Sequence, residues 1–175
     1  MPYARCDSRQ LFYERRGSGE PLLLIQGMAG HHELWGDRFM TALARAFDIV
    51  AFDHRGIGTS TDVPGPFSIV DLAEDAVSVM DELGWSTAHV MGISMGGMVA
   101  QEVALNHPGR VRRLVLGCTY AGDDRVQHGV NVATLIPGAR LHTFDDVGHL
   151  FWWERAAETS ELVVQQCLTE MEASR

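Results

Sequence analysis

The strongest chemical signal in this chain is Gly92-Ile93-Ser94-Met95-Gly96. It follows an apolar run, "AHVMGIS", and opens a helical pattern that begins at Met95. A turn this tight between strand and helix needs glycine at Gly92 and Gly96, because a Cβ there meets neighbouring backbone. It presents the Ser94 hydroxyl at a helix N-terminus, where the Met95 backbone N–H is free to bind negative charge. The implied chemistry is attack of a serine hydroxyl on an acyl carbon, with the oxyanion held by backbone. The phosphate-cradling pattern G-x-G-x-x-G is not matched, which disfavours a dinucleotide site.

A serine hydroxyl is a weak nucleophile until a base takes its proton. Of eight histidines, His149 in "DDVGHL" is the candidate, because it follows the last strand pattern. His31 and His32 are adjacent and share no face as paired ligands would, and His54, His89, His107, His128 and His142 read as packing or surface residues. An imidazole that works this way needs a carboxylate to fix its tautomer. Asp123 and Asp124 follow a strand end and precede His149, and either one suits the role. A second oxyanion donor is expected from the loop after the first buried parallel strand, "IQGMAGHH", through the backbone N–H of Met28.

These residues need a frame. "PLLLIQG", "FDIVAFD", "AHVMGIS" and "VRRLVLG" are short apolar runs ended by breakers, as expected for strands buried on both faces. Tyr3–Cys6 and Leu11–Glu14 are earlier strand signals, and "ARLHTFDD" (139–146) is a last candidate. Helical spacing fills the gaps: Ile69 to Leu83, Met95 to Asn106 stopped by His107-Pro108, Leu34 to Ala46, and Glu154 to Leu168. Strand alternating with helix predicts an open, mostly parallel α/β sheet, whose ligands sit beyond the carboxyl ends of the strands. Gln26–Gly30, Ser94, Asp123/Asp124 and His149 all follow strand ends.

The length fits one domain, taken as residues 1–175. With 46% hydrophobic and 21% charged residues the composition is that of a globular protein. A net charge of −9 disfavours nucleic acid and anionic membranes as partners. The N-terminal residues carry no apolar core of signal-peptide length, and no apolar run is long enough to span a bilayer, so a cytoplasmic location is expected. Cys6, Cys118 and Cys167 lack metal-ligand spacing and read as free thiols; no metal and no cofactor is expected.

The chain resembles the α/β-hydrolase superfamily, in its serine esterase, lactonase and perhydrolase branch. The segments "LFYERRGSGEPLLLIQG", "FDHRGIGTS", "DLAEDAVSVMDELG", "HVMGISMGGMVAQEVALNHPGRVRRLVLG" and "PGARLHTFDDVGHLFWWE" carry the resemblance in the family's order. It places the nucleophile on Ser94, the base on His149 and the oxyanion donors on Met28 and Met95. The family's acid loop aligns with "DDRV" so that Asp124 is the acid and Asp123 the runner-up. Gln26 stands where the family often has histidine, a departure expected to change little because the donors are backbone groups. Family members usually follow a strand like "LVLGC" with a helical cap and a further strand, whereas here "GCTYAG" runs directly into "DDRV".

The resemblance therefore implies a minimal three-layer α/β-hydrolase fold with about seven strands and no lid domain. "VQHGVNVATLIPGA" would form a short crossover helix to the last strand. The implied activity is a carboxylesterase acting through an acyl-enzyme on Ser94, promiscuous towards small esters because it is uncapped. Lactonase, enol-lactonase or acyltransferase (perhydrolase) chemistry on the same triad is the alternative, and a non-catalytic binding module is the alternative of another class. Exposed apolar surface left by a missing cap and strand suggests a homo-oligomer, a dimer.

Overall fold

A computed structural model describes residues 2–6, 8–119 and 139–169. Six strands form one mixed sheet: β1 (Tyr3–Cys6), β2 (Arg9–Gly17), β3 (Glu20–Ile25), β4 (Phe47–Phe52), β5 (Ala88–Ile93) and β6 (Val111–Gly117). Their order is β1-β2-β4-β3-β5-β6. The first two strands run antiparallel to their neighbours, and β4, β3, β5 and β6 run parallel. Every residue of β4 and of β5 is buried, as the unbroken apolar runs require.

Side-chain alternation divides the core between the two faces of the sheet. Leu23, Ile25, Val50, Phe52 and Val90 point to one face and pack with Leu72, Ala76 and Met80 of α2 (Ile69–Glu82) and with Val99 and Val103 of α3 (Met95–Asn106). Leu22, Leu24, Ile49, Met91 and Ile93 point to the other. There they meet Phe39 and Met40 of α1 (Asp37–Leu43), Trp152 of α4 (Phe151–Glu154) and Val163 of α5 (Ala156–Leu168). The result is a three-layer α/β structure with no cap domain among the described residues.

Local signals explain where elements start and stop. Ser68 and Asp71 form a reciprocal capping box at the start of α2. The same hydrogen bonds from Ser68 draw the Asp71 carboxyl below its usual range. The helical spacing of Leu34 to Ala46 is interrupted at Gly36, which adopts φ 76°, so the stretch divides into a single 3-10 turn (His32–Trp35) and α1. The pattern near Glu154 divides likewise at Arg155.

One expected strand is not formed. Residues 139–146 join no ladder, and the described sheet has six strands rather than seven. The two large apolar residues there, Leu141 and Phe144, are three positions apart, so a strand would send them to opposite faces. Instead Phe144 stacks on Phe151 at 5.6 Å and meets His142 edge-on, while Leu141 stays half exposed. The segment is held by its aromatic rings rather than by backbone pairing. The expected crossover helix over 126–139 lies almost wholly outside the described residues.

Candidate active site

Ser94 occupies the single residue between β5 and α3, at the carboxyl edge of the parallel strands. Its backbone sits at φ 52° and ψ −125°, a region that non-glycine residues rarely enter and that costs about 1–3 kcal/mol. The conformation is held from both sides. Ser94 N–H donates to Gly117 O at 2.9 Å, and Ser94 O accepts from Gly97 N–H at 3.0 Å and from the Thr119 hydroxyl at 2.7 Å. A Cβ on Gly92 would lie 2.1 Å from Gly96 O, and one on Gly96 would lie 2.1 Å from Ile25 O. Both glycines thus answer to close backbone approach, the reason inferred from the motif. Met95 begins α3, so its N–H has no partner within the helix.

The turn after β3 lies against this elbow. A Cβ on Gly27 would come within 3.0 Å of Ser94 Cβ. Gly30 N–H closes a four-residue turn on Gly27 O at 3.1 Å, with Ala29 at φ 59°. In such a turn the N–H of the second residue takes no part in the closing hydrogen bond. That residue is Met28, whose side chain is 80% exposed, so any role in the site belongs to its backbone.

His149 lies in the turn preceding α4 and is exposed. Its Nε2 is 3.6 Å from Cys118 Sγ, the first residue beyond β6. Gly117, which holds the Ser94 N–H, directly precedes Cys118, so the imidazole stands at the neighbouring strand end. Among the described residues no hydrogen bond joins it to Ser94 Oγ. Cys118 takes φ 41°, and although the residue is exposed, the groups crowding its sulfur push the thiol pKa up, opposed by a hydrogen bond with the Ser94 backbone. The candidate acids Asp123 and Asp124 lie outside the described residues.

Several polar residues at this edge were not singled out from sequence. Asp53, immediately after β4, is fully buried and accepts from both the backbone N–H (2.7 Å) and the Nδ1 (2.8 Å) of His32, which pins the chain leaving the Gly27–Gly30 turn. His54 is buried beside it. Its Nε2 donates to Gln26 O at 3.1 Å, and burial holds its pKa below the ordinary value of 6.5. Further back, Asp75 on α2 is fully buried and binds Arg55 at 2.6 Å and Arg9 at 3.2 Å. The contact with Asp75 raises the Arg55 pKa. A sequence signal existed for Asp53 and His54, since "FDHRG" places them at a strand end, but not for their partners. Among the described residues no cluster of histidine, cysteine, aspartate or glutamate could hold a metal ion, and no helix is long and apolar enough to cross a membrane.

The comparisons agree with this architecture. RutD of Azorhizobium caulinodans, named as a candidate carbamate hydrolase, is 40% identical over 124 residues, covering 71% of this chain and 46% of its own length. The enol-lactonase of Burkholderia xenovorans LB400 superposes with a TM-score of 0.65 at 29% identity, over 68% of this chain and 47% of that one. A CIB-like hydrolase of Thermoplasma acidophilum superposes with a TM-score of 0.82 over 93% of this chain and 94% of that one; at 17% identity it speaks to the fold alone. The chain spans about half the length of the curated relatives it matches. The profile of the alpha/beta hydrolase fold matches residues 20–131, which hold the Gly27–Gly30 turn, the Ser94 elbow and the whole parallel part of the sheet, and the chain belongs to that family.

Proposed function

We propose that the chain is a serine hydrolase of small carboxylic esters. The observation that carries this reading is Ser94 itself, held in a strained backbone conformation at the N-terminus of α3 with the Gly27–Gly30 turn against it. Nothing in packing calls for a strained serine there. A nucleophile needs that placement, because the developing oxyanion then meets Met95 N–H from the helix and Met28 N–H from the turn. In this reading His149 exchanges Cys118 for the Ser94 hydroxyl when substrate binds, takes its proton, and returns it to the leaving alcohol. Asp124, with Asp123 as runner-up, would orient the ring. Water then releases the acyl group from Ser94.

The absence of a cap among the described residues supports short, activated acyl groups as substrates and weak selectivity, because caps supply enclosing apolar contacts. The same acyl-enzyme serves lactones, carbamates and acyl transfer to peroxide. Exposed Met28, Leu150 and Trp153 support self-association as a dimer, which light scattering at micromolar concentration tests.

The 3.6 Å approach of His149 to Cys118 favours a second reading, a cysteine nucleophile. The raised thiol pKa argues against it, since the thiolate is the reactive form. Hydrolysis of p-nitrophenyl acetate separates the two. Ser94→Ala and His149→Ala are expected to fall to background while Cys118→Ala stays within about threefold of wild type. Equal rates for wild type and Ser94→Ala would remove the proposal, and loss in Cys118→Ala alone would install the second reading. Asp124→Asn against Asp123→Asn identifies the acid.

A further inference from the structure

We infer that Gln26 is a positioning residue of the oxyanion hole: its side-chain oxygen, together with His54 on its carbonyl, fixes the Gln26–Gly27 peptide from which the turn carrying Met28 N–H starts. The inference rests on the Ser94 hydrolase reading for its effect on turnover, and on geometry alone for its effect on the turn.

Gln26 is 3% exposed and follows the last residue of β3. Its Oε1 accepts from Gly27 N–H at 3.0 Å. The turn then folds back over the same atom, so closely that a Cβ on Gly30 would lie 2.8 Å from Oε1. The backbone of Gln26 is fixed as well, since its carbonyl oxygen accepts from buried His54 Nε2 at 3.1 Å and would lie 2.4 Å from a Cβ on Gly96. One residue thus holds the N–H of Gly27 and packs against Gly96, the residue after Met95. Gly27 N–H and Gln26 O are the two ends of one planar peptide, so Oε1 and His54 hold that unit together, and loss of Oε1 leaves the start of the turn that carries Met28 N–H on His54 alone.

Stability does not account for an amide in this place. Gln26 Nε2 is buried without a hydrogen-bond partner among the described residues, and an orphaned buried donor is costly. An apolar side chain of the same length avoids that cost and forfeits only the bond to Gly27. The residue is therefore explained by what Oε1 does to the turn.

Gln26→Met keeps the length and removes the acceptor. With p-nitrophenyl acetate, kcat of Gln26→Met is expected to fall about ten- to hundredfold with KM within about twofold, because the lost contact serves the transition state. Its thermal midpoint is expected to equal or exceed that of wild type. Wild-type kcat in Gln26→Met, measured where Ser94→Ala is inactive, overturns the inference. So does a fall in kcat matched by a fall in midpoint, which marks a merely structural role. Hydrogen exchange provides an arm independent of turnover: Gly27 N–H is expected to exchange at least about tenfold faster in Gln26→Met than in wild type. Equal exchange overturns the assignment even if Ser94 proves idle, and faster exchange with an idle Ser94 upholds the geometric part and removes only the hydrolase reading.

Discussion

Replacing Ser94 with glycine is expected to stabilise the fold while ending activity. Ser94 holds φ 52° and ψ −125°, where a Cβ is unfavourable by about 1–3 kcal/mol. Glycine removes that cost but adds about 0.5–1 kcal/mol of unfolded-chain freedom. The hydroxyl makes no hydrogen bond among the described residues, and both Ser94 N–H and Ser94 O keep their partners in either variant. Ser94→Ala retains the Cβ and hence the strain, so it is the proper reference. Glycine should then exceed alanine by about 1 kcal/mol, or about 2–4 °C in midpoint for a chain of this size. Urea denaturation of both variants at pH 7, with equal slopes, measures the difference. Should Ser94→Gly prove less stable than Ser94→Ala, the elbow is not strained and the functional argument built on it fails.

Three further perturbations test other parts of the structure. Asp75→Ala leaves buried Arg55 without its 2.6 Å partner and is expected to cost about 3–5 kcal/mol by urea denaturation. His54 and His89 both have pKa values lowered chiefly by burial, so each is neutral in the fold at pH values where the unfolded chain binds a proton. Their contribution is therefore full above about pH 6.5 and is lost as pH falls from there towards the lowered folded values; His54→Gln should flatten the decline in midpoint between about pH 7 and 5. Iodoacetamide should label Cys118 slowly in the native protein, whereas Cys6 and Cys167 should react only after unfolding, since both are buried and burial pushes the Cys167 thiol up to about 12. Peptide mass mapping reads this out.

The parts legible in the sequence were those set by neighbours along the chain. Strand β6 runs over Val111–Gly117 and helix α3 over Met95–Asn106 as expected, because breakers bound both. The glycines at 92 and 96 implied a tight turn before any coordinates, and close backbone contacts surround both. What escaped were pairings across long separations. His32 with Asp53, His54 with Gln26 O and His149 with Cys118 each depend on which strand lies beside which. Residues 139–146 have the apolar content of a strand without its alternation, and form none. Gln26 stands out in the sequence only as a departure from the family pattern, and its hydrogen bond to Gly27 is a matter of rotamer, which periodicity does not report.

The place of β6 at the outer edge of the described sheet has a consequence for how the molecule fails. The backbone of Ser94 is tied to Gly117 O and to Thr119, the end of β6 and its exit. Outer strands are among the first to open in partial unfolding, at free energies below the global value. Peeling of β6 would release the elbow's ties to Gly117 and Thr119 while the pairing of β3 with β4 stays in place. Catalytic competence would then melt before the protein does, at a denaturant concentration set by a single strand rather than by the whole fold.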